Sequence, residues 1–359
     1  MTKKSIYIIA EAGVNHNGDI NLAHKLIDTA AEAGADAVKF QTFNAAKLTS
    51  PNLAKNEYKK NKTNKSESQQ DMLKSLELPL KWHQNLKERA ENNGLDFLST
   101  AFDIDSHNFL IKLGINKIKI PSGELTNGPL IWKFAKSGID IIISTGMADI
   151  SEIEDALATI AHSYNSKDIP KNMSEIRKLW LNQKIKDSLK GKVTILHCTS
   201  QYPAEFRHVN LRAMQSMKDK FGLDIGYSDH TMGMSISLAA AANGATVIEK
   251  HFTIDRSLPG PDHAASLEPN ELIKMVQEIR NIEISMGDGI KRPQEDEEKI
   301  KLSVRKQIIA AKAIKKGTLI DITDLTSARC GEGMSPNDVW SLVGKISKNS
   351  YNTGDLINE

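Results

Sequence analysis

Short apolar runs recur along the chain, and most are separated by segments with helical periodicity. Eight such runs occupy residues 6–10, 37–40, 97–98, 117–120, 141–143, 193–196, 223–225 and 246–248. Apolar positions spaced three and four apart predict amphipathic helices at residues 21–33, 80–92, 152–162, 211–220, 234–242 and 269–286. This alternation of strands and helices predicts a parallel sheet whose faces are covered by helices.

Eight strand–helix units favour closure of the sheet into a (β/α)₈ barrel, which is the α/β fold we predict for most of the chain. The alternative is an open, doubly wound sheet. Its dinucleotide-binding form carries a glycine-rich phosphate turn after the first strand, and no such turn follows residue 10. One connection, residues 165–192, is unusually long and contains a helix-like piece at 175–189. We interpret it as an inserted surface element.

The character of the sequence changes after Met286. Residues 287–293 are rich in turn formers and residues 294–301 are almost wholly charged, which indicates a linker at 287–302. We therefore predict a barrel domain at 1–286 and a small, β-rich unit at 303–359. Since about 55 residues are few for an independent core, this unit is expected to pack against the barrel or a second subunit.

Composition restricts the classes of protein. A formal net charge of +2 over 359 residues gives no reason to expect nucleic-acid or acidic-membrane partners. No apolar window approaches 18 residues, and the N-terminus lacks a signal-peptide pattern, so a soluble cytoplasmic protein is predicted. The two cysteines, Cys198 and Cys330, are expected to be reduced. The lysine-rich run at 59–65 is interpreted as a solvated loop.

Polar clusters follow the last two apolar runs. Residues 226–231 read Gly-Tyr-Ser-Asp-His-Thr, and residues 249–253 read Glu-Lys-His-Phe-Thr. Because the C-terminal ends of parallel strands meet at one mouth of a barrel, His230 and His251 are placed to hold one metal ion. Water or substrate would fill its open positions. The alternative for each histidine is a hydrogen-bonded polar residue at the barrel rim.

Other strand ends carry cations, hydroxyls and carboxylates. Lys39 and Lys119, together with Ser-Gly and Thr-Gly turns, predict an anion-binding mouth, although either lysine alone could be a surface residue. Glu11, Glu124 and Asp262 are available for proton transfer or for recognition of sugar hydroxyls. The other histidines divide into His197, interpreted as structural, and His16 and His263, whose roles stay open. Five are expected on the surface: His24, His83, His107, His162 and His208.

Over essentially its whole length the chain resembles the sialic acid (nonulosonate) synthases, which include N-acetylneuraminate and legionaminic acid synthases. The motifs that carry the resemblance are residues 9–18 (Ile-Ala-Glu-Ala-Gly-Val-Asn-His-Asn-Gly), 39–41 (Lys-Phe-Gln), 119–124 (Lys-Ile-Pro-Ser-Gly-Glu), 226–231, 249–253 and 260–263 (Gly-Pro-Asp-His). The C-terminal unit resembles the antifreeze-like (SAF) domain of these enzymes.

The resemblance implies condensation of phosphoenolpyruvate with an N-acyl-mannosamine-type sugar, with release of phosphate. By the family pattern, phosphoenolpyruvate would be held by Lys39, Thr100, Lys119, Ser122, Ser144 and Ser228. Mn²⁺, or a similar ion such as Mg²⁺ or Co²⁺, would be bound by His230 and His251, while Glu11 and Asp262 would handle protons or activated water. The sugar site would include Gln41, Phe102, Glu124 and Tyr202. A domain-swapped homodimer is implied, in which Arg329 of the partner subunit reaches the N-acyl group.

Two departures from the family pattern bear on the acceptor sugar. Arg329 is flanked by Ala328 and Cys330 where the family often has lysine and proline, and Ser200 stands where N-acetylneuraminate synthases commonly have asparagine. Together with the sequence of residues 12–18, the serine favours a 2,4-diacetamido-2,4,6-trideoxymannose acceptor over N-acetylmannosamine.

Two alternatives remain open at this point. The first is a synthase that condenses phosphoenolpyruvate with an aldose phosphate, which would need a second basic cluster that the strand ends do not contain. The second is a non-catalytic ice- or sugar-binding protein that uses the C-terminal unit. It would not require both lysines and both histidines to be present.

Overall fold

The structure, a computed structural model, describes residues 5–49 and 69–359. The chain divides into two compact units, Met1–Gly287 and Asp288–Glu359, and each is described by itself. The lysine-rich run at 59–65, interpreted above as a solvated loop, lies outside the described residues.

The first unit is built around an eight-stranded sheet in which neighbouring strands run parallel. Its strands are β1 (Tyr7–Gly13), β2 (Ala37–Thr42), β3 (Asp96–Ala101), β4 (Lys117–Ile120), β5 (Asp140–Ser144), β6 (Val193–Cys198), β7 (Asp224–Asp229) and β8 (Val247–His251). The hydrogen-bonded order is β3-β2-β1-β8-β7-β6-β5-β4, and β3 and β4 lie side by side at its two ends. The predicted (β/α)₈ barrel is therefore confirmed, and the open doubly wound sheet is rejected.

Helices follow the strands around the barrel. They are α1 (Ile20–Glu32), α2 (Ala45–Leu48), α3 (Gln69–Ser75), α4 (His83–Asn92), α5 (Ile104–Leu113), α6 (Gly128–Ala135), α7 (Ile150–Asn165), α8 (Met173–Trp180), α9 (Gln183–Asp187), α10 (Arg212–Phe221), α11 (Ser235–Ala242) and α12 (Pro269–Ser285). Asp149 caps α7 and forms a capping box with Glu152. Within the described ranges, no helix has the length and apolar character needed to cross a membrane.

Two apolar layers explain why the strands read as continuous apolar runs. One layer lies between the strands and the helices and includes Ile8 and Val38. The other fills the barrel interior and consists of Ile9, Ala37, Leu98, Ile142, Leu196 and Val247, with Tyr7 packed against it. Because both faces of each strand are buried, consecutive positions are apolar over much of the sheet. Polar residues become frequent where the strands end at the mouth of the barrel.

The strands are longer than the apolar runs predicted. Seven of the eight continue beyond those runs into the polar clusters, so that Glu11, Thr100 and Ser228 are strand residues rather than loop residues. The ladder pairs Glu11 with His251 and Ser228 with Glu249. Polar side chains that satisfy one another inside the mouth let the strand continue where hydrophobicity alone predicts its end.

The inserted segment 165–192 packs on the outside of the barrel as two helices rather than one. Ile176 and Trp180 of α8 are buried, and α8 and α9 both contact α7. The predicted single piece at 175–189 is interrupted because Asn182 caps a new helix, α9, with its side chain.

The second unit has a small core of its own. Its elements are α13 (Glu295–Val304), β9 (Gln307–Ala310), β10 (Leu325–Ala328), which pairs with β9 in antiparallel fashion, and α14 (Val339–Leu342). The charged stretch interpreted as a linker is therefore mostly helical. Four acidic residues in the first turn of α13 and Lys301 in its last turn complement the helix dipole, which charge content alone does not reveal. The antifreeze-like assignment stays a prediction.

Three histidines predicted on the surface are buried instead. His83, His107 and His162 are buried residues of helices α4, α5 and α7, and His83 contacts Phe109 edge-on while His107 stacks on Phe134. Burial lowers the pKa of His83 and of the equally buried His16 to about 4. Histidine counts as a polar residue in a hydrophobicity pattern, although much of its imidazole ring is apolar and can be buried. The helical periodicity therefore did not identify these histidines as core residues.

We expect stability to fall as pH is lowered from about 6.5 towards 4. The unfolded chain binds protons at His16 and His83 in this window while the folded chain does not, at up to about 1.4 kcal/mol per pH unit for each histidine. His83→Gln should lower the slope of unfolding free energy against pH in urea titrations, although it also lowers stability at pH 7. The exposed His208→Gln is the matched control. Equal slopes for wild type and His83→Gln would contradict this account.

Candidate active site

A cavity of about 800 Å³ opens at the C-terminal ends of the barrel strands. Thirteen of the fifteen residues predicted from sequence line it: Glu11, Lys39, Gln41, Thr100, Phe102, Lys119, Ser122, Ser144, Tyr202, Ser228, His230, His251 and Asp262. The tertiary fold therefore brings together side chains that are up to about 250 positions apart in sequence.

The floor of this cavity follows directly from the interior apolar layer. Side chains two residues apart on a strand point to the same face, so each residue of that layer is followed by one that points into the mouth. The residues two positions further along are Glu11, Lys39, Thr100, Ser144, Cys198 and Glu249, and all six line the cavity. The polar site thus rests on a packed apolar base.

The centre of the site is a buried cluster of two lysines and two glutamates. Lys39 Nζ lies 2.5 Å from Glu11 Oε2 and 3.5 Å from Glu249 Oε2. Lys119 Nζ lies 3.0 Å from Glu249 Oε1, so that Glu249 bridges both lysines. Ser228 Oγ donates to Glu249 Oε1 at 2.8 Å, and Lys39 Nζ donates to Thr100 Oγ1 at 3.2 Å. The cluster is formally neutral.

The pKa values of the two glutamates are shifted in opposite directions. Burial raises the pKa of Glu11 to about 7, and the nearby lysines only partly oppose this shift. Burial also disfavours charge on Glu249, but Lys119 and Lys39 outweigh burial and hold the pKa of Glu249 below its ordinary value. Glu11 is therefore able to exchange a proton near neutral pH, whereas Glu249 is a permanent counter-ion.

Burial lowers the pKa of Lys119, with Glu249 opposing that effect. Burial acts in the same direction on Lys39, but Glu11 and Glu249 together outweigh it and raise its pKa. Two carboxylates against Lys39 and one against Lys119 account for this difference.

Hydroxyl and backbone donors border the lysines. The backbone N–H of Gly146 donates to Ser122 Oγ at 2.9 Å, and the Ser144 hydroxyl is buried without a hydrogen-bond partner. Gly146 allows a close approach of chain segments, because a Cβ built there would lie 2.1 Å from Ser200 Oγ and 2.8 Å from Ser122 Oγ. Hydroxyl groups beside two cations suit a phosphate or carboxylate, and the Ser144 hydroxyl has no other hydrogen-bond partner in the structure.

His230 and His251 face each other across the mouth, with ring centroids 5.6 Å apart. His230 Nδ1 lies 2.8 Å from the carbonyl oxygen of Thr199, which places the proton on Nδ1. In this tautomer Nε2 is unprotonated and carries the lone pair that can bind a metal. Burial, with His230 and Lys39 nearby, holds the pKa of His251 well below its ordinary value, so its imidazole is neutral. Its Nδ1 is buried without a hydrogen-bond partner.

These two imidazoles fit a divalent metal that keeps open coordination positions. Both line the cavity, and the neutral state of His251 and the tautomer of His230 are those of metal ligands. Within residues 5–49 and 69–359, no group of three histidine, cysteine, aspartate or glutamate side chains is close enough to hold an ion. If a metal is bound there, the described chain would supply two ligands, and the other positions would belong to water or substrate.

Other residues that line the cavity are less buried, and some of them are aromatic. Tyr202 lies over the His230 ring at a centroid distance of 4.0 Å, and Phe102 meets Phe43 edge-on at 6.0 Å. Gln41, Phe102, Tyr202 and Asp262 are all half-buried. Apolar faces combined with amide and carboxylate groups match a ligand that is both polar and sizeable.

The loop that carries Asp262 is tied to the loop after β1. Asn17 Nδ2 donates to the carbonyl oxygen of Pro259 at 2.8 Å, and His263 Nε2 lies 3.1 Å from Asn17 Oδ1. His263 Nδ1 lies 2.6 Å from Thr253 Oγ1. His263, whose role the sequence left open, therefore positions the loop beside Asp262.

Two predicted residues are not brought into the cavity. Glu124 is half-buried, accepts a hydrogen bond from Asn127 Nδ2 at 2.7 Å and does not line the cavity. Its carboxylate is used at the start of α6 rather than at the mouth. Arg329 lies in the second unit, exposed, directly after β10.

Two of the cavity-lining residues that were not predicted from the sequence bear directly on the chemistry of the site. Glu249 was noted only as a neighbour of the histidines, yet it pairs with both lysines. Cys198, a free buried thiol, has its Sγ 3.6 Å from His230 Nδ1. Both could have been found by counting two positions beyond the buried residues Val247 and Leu196, had those been known to face the barrel interior.

One mouth of a closed (β/α)₈ barrel holds two buried lysines, a glutamate whose pKa is about 7, and two histidines. This arrangement defines an enzyme site for an anionic substrate. Comparison with known proteins identifies the enzyme class. Residues 26–291 match the NeuB family. An N,N'-diacetyllegionaminic acid synthase of Campylobacter jejuni subsp. jejuni serotype O:2 is 48% identical over 356 residues, which cover 99% of this chain and 100% of that protein.

A second N,N'-diacetyllegionaminic acid synthase, from Legionella pneumophila subsp. pneumophila, is 45% identical over 344 residues, 96% of this chain and 91% of that one. The crystal structure of an N-acetylneuraminic acid synthetase from Leptospira borgpetersenii serovar Hardjo-bovis has a TM-score of 0.68 at 36% identity, covering 82% and 90% of the two chains. The chain belongs to the NeuB family, and the predicted enzyme class, a nonulosonic acid synthase, is confirmed.

We expect Gly146→Ala to weaken anion binding at the site. The added methyl group would displace the Ser122 and Ser200 hydroxyls, and loss of one aligned donor costs on the order of 1.4 kcal/mol, or about 10-fold in affinity. Calorimetric titration with inorganic phosphate checks the effect. Gly128→Ala, where a Cβ meets nothing within 4 Å, is the control. Equal phosphate affinity in the two variants would contradict the assignment.

Proposed function

We propose that this protein condenses phosphoenolpyruvate with an N-acyl-mannosamine-type sugar and water, giving a nonulosonic acid and phosphate. The observation that carries the proposal is the pair of buried lysines opposite two histidines in one barrel mouth. The two relatives named N,N'-diacetyllegionaminic acid synthases support 2,4-diacetamido-2,4,6-trideoxymannose as the acceptor.

Phosphoenolpyruvate would lie against the lysines. Each ammonium group has three N–H donors, and Glu249 accepts from only one of those of Lys119. The remaining donors, with the hydroxyls of Thr100, Ser122, Ser144 and Ser228, would bind its phosphate and carboxylate oxygens. A buried site strengthens these interactions, and the positive charges of the two lysines would offset the negative charge on the leaving phosphate.

The reaction forms one C–C bond and one C–O bond and breaks one C–O bond. C3 of phosphoenolpyruvate attacks the open-chain aldehyde carbon, and the aldehyde oxygen becomes a hydroxyl group by taking up a proton. Water adds to C2, the C2–O bond to phosphate breaks as C2 becomes a ketone, and the two protons of the water end on the former aldehyde oxygen and on phosphate. Glu11 would accept the proton of the added water, because its pKa of about 7 allows exchange near neutral pH. Asp262, at the edge of the same cavity, is the alternative base.

His230 and His251 would hold Mn²⁺, or another divalent ion such as Mg²⁺ or Co²⁺. A metal bound there would supply Lewis acidity toward the aldehyde oxygen. The chain contributes the preset tautomer of His230 and the neutral imidazole of His251. The Tyr202 ring, packed on His230, would restrict rotation of that imidazole.

The acceptor is expected to lack a phosphate group. Among the described residues that line the cavity, Lys39 and Lys119 are the only lysines or arginines, and phosphoenolpyruvate would occupy both. A phosphorylated aldose would leave a second phosphate without a cation. Gln41, Phe102 and Tyr202 instead offer amide and aromatic contacts suited to acetamido groups and a deoxy sugar.

For the second unit we propose the antifreeze-like role and the domain-swapped homodimer that the family resemblance implies. Arg329 would then serve the cavity of the other subunit and contact the N-acyl group of its sugar. The exposed position of Arg329 after β10 agrees with a residue that acts outside its own unit.

Phosphate release from phosphoenolpyruvate in the presence of Mn²⁺ tests the reaction. We expect turnover with 2,4-diacetamido-2,4,6-trideoxymannose, slower turnover with N-acetylmannosamine, and none after EDTA treatment. Lys119→Met should lower kcat/KM by about 10³-fold or more, since a charged contact to the transferring group is lost. Lys117→Met, on the same strand but paired with Asp96 away from the cavity, is the control.

Equal rates with both sugars would remove the preference for the diacetamido acceptor. Absence of release with either sugar, in folded protein, would overturn the proposed reaction. If Lys117→Met lost as much activity as Lys119→Met, the lysine cluster would not be the phosphoenolpyruvate site.

A subunit-mixing experiment tests the role of Arg329. Lys119→Met and Arg329→Ala subunits, each with low activity as homodimers, are co-expressed with different tags. If Arg329 acts across a two-fold dimer, half of the dimers contain one intact site, and about a quarter of wild-type activity returns. No recovery in a confirmed mixed dimer would show that Arg329 acts within its own chain, and full activity of the Arg329→Ala homodimer would show that it has no role.

A further inference from the structure

Strands β7 and β8 carry two consecutive cross-strand pairs of polar residues at their C-terminal ends, and a pair of histidines directly follows them. Ser228 pairs with Glu249 and Asp229 with Lys250 in the parallel ladder, and His230 and His251 follow as the next residues. Because side chains alternate along a strand, the first and third pairs share one face and the middle pair takes the other. The cavity is lined by Ser228, Glu249, His230 and His251, whereas Asp229 and Lys250 do not line it.

The middle pair is an ion pair in the apolar layer beneath helix α11. Lys250 Nζ lies 3.0 Å from Asp229 Oδ2, and the two side chains are 1% and 0% exposed. Ser237, on α11, donates to Asp229 Oδ2 at 2.6 Å. The layer between strands and helices is otherwise filled by residues such as Tyr227 and Ile248, which are fully buried.

Stability alone does not explain a charged pair at this place. Removal of two charges from water costs several kcal/mol per ion, and well-packed apolar residues of similar volume are commonly as stabilising as a buried ion pair. Such pairs do, however, restrict geometry, because every donor and acceptor must be satisfied in one arrangement. The contacts of this pair show which arrangement it selects.

The pair holds the backbone on both sides of His230. Asp229 Oδ1 accepts from the Thr231 N–H at 2.9 Å and from Thr231 Oγ1 at 2.8 Å. Lys250 Nζ donates to the carbonyl oxygen of Thr231 at 2.5 Å. Thr231 is therefore held through its N–H, its hydroxyl and its carbonyl group, while the residue before His230 is Asp229 itself.

The same contacts link the two histidines. Lys250 directly precedes His251, and its side chain crosses from β8 to the residue that follows His230. A shift of either strand end along its axis would break the hydrogen bond from Lys250 Nζ to the carbonyl oxygen of Thr231 and distort the buried ion pair with Asp229. The separation of the two imidazoles, 5.6 Å between ring centroids, is thus coupled to an interaction on the far side of the strands.

We infer that Asp229 and Lys250 are a positioning pair, which holds His230 and His251 at the separation required to bind one divalent metal. The inference rests on the proposed function, since it assigns the metal to these histidines. Ser237 belongs to the same device, because its hydroxyl orients the Asp229 carboxylate from α11. None of the three side chains touches the cavity, and their effect is exerted through the two histidines.

The test is the Mn²⁺ affinity of metal-free protein, measured by calorimetry and by electron paramagnetic resonance of unbound Mn²⁺. Wild type should bind one ion per chain. Ser237→Ala should bind it about 10-fold more weakly, while its melting temperature stays close to that of the control Ser163→Ala. Ser163 is equally buried, and its hydroxyl donates to Trp132 on the barrel exterior, away from the histidines. Lys250→Met should weaken binding by more than 100-fold.

Unchanged Mn²⁺ affinity in Ser237→Ala and in a folded Lys250→Met would overturn the inference and leave the metal site itself in place. Absence of Mn²⁺ binding to wild type would overturn both the metal assignment and the inference. If Lys250→Met does not fold, Ser237→Ala decides the question, since it removes one hydrogen bond and no charge. Equal loss of metal affinity in Ser237→Ala and Ser163→Ala would assign the effect to general destabilisation and also reject the positioning role.

Discussion

The bridging of two buried lysines by one glutamate is the constraint on which the rest of this site depends. Glu249 contacts Lys39 and Lys119 at once, and Glu11 balances the remaining charge. Loss of any one of the four would leave an unpaired charge in a buried place, which is far more costly than loss of a surface ion pair. The cluster therefore keeps two ammonium groups in position, charged and oriented, before any substrate arrives.

The barrel makes this arrangement possible through its layers. An interior base that includes Ile9, Ala37 and Val247 closes the barrel below the cluster, and the next inward-facing layer supplies the charges. An apolar base excludes water from beneath the site, so that the attraction between charges is little screened. It also holds strand ends from opposite sides of the barrel in fixed relation, which a flexible loop could not do.

On strands β7 and β8 the inward-facing residues belong to the site, and the outward-facing residues form an ion pair beneath helix α11. Facing inwards, Glu249 and His251 take part in the site, while Lys250 between them faces the helices and pairs with Asp229. A strand presents alternate residues to opposite sides, so one short segment carries both the reactive groups and the interaction that orients them. This explains why polar residues run without interruption from Glu249 to His251 in a part of the fold that is buried on both faces.

The sequence by itself determined the order of elements, the closed barrel and many of the charged and polar residues that line the cavity. Parallel strands buried on both faces leave continuous apolar runs, and their C-terminal ends must meet, so Lys39, Lys119, His230 and His251 could be grouped without a structure. The change in composition after Met286 likewise indicated a small second unit. Its charged stretch was interpreted as a linker, whereas the structure forms helix α13 there.

The tertiary structure decided which polar residue at each strand end faces inwards and what it meets there. Glu249 became the partner of both lysines, while Glu124 was directed to the start of α6. His83 and His107 entered the core through contacts with aromatic rings. These outcomes depend on register and on neighbours distant in sequence, and neither the local period nor the charge of a segment contains that information.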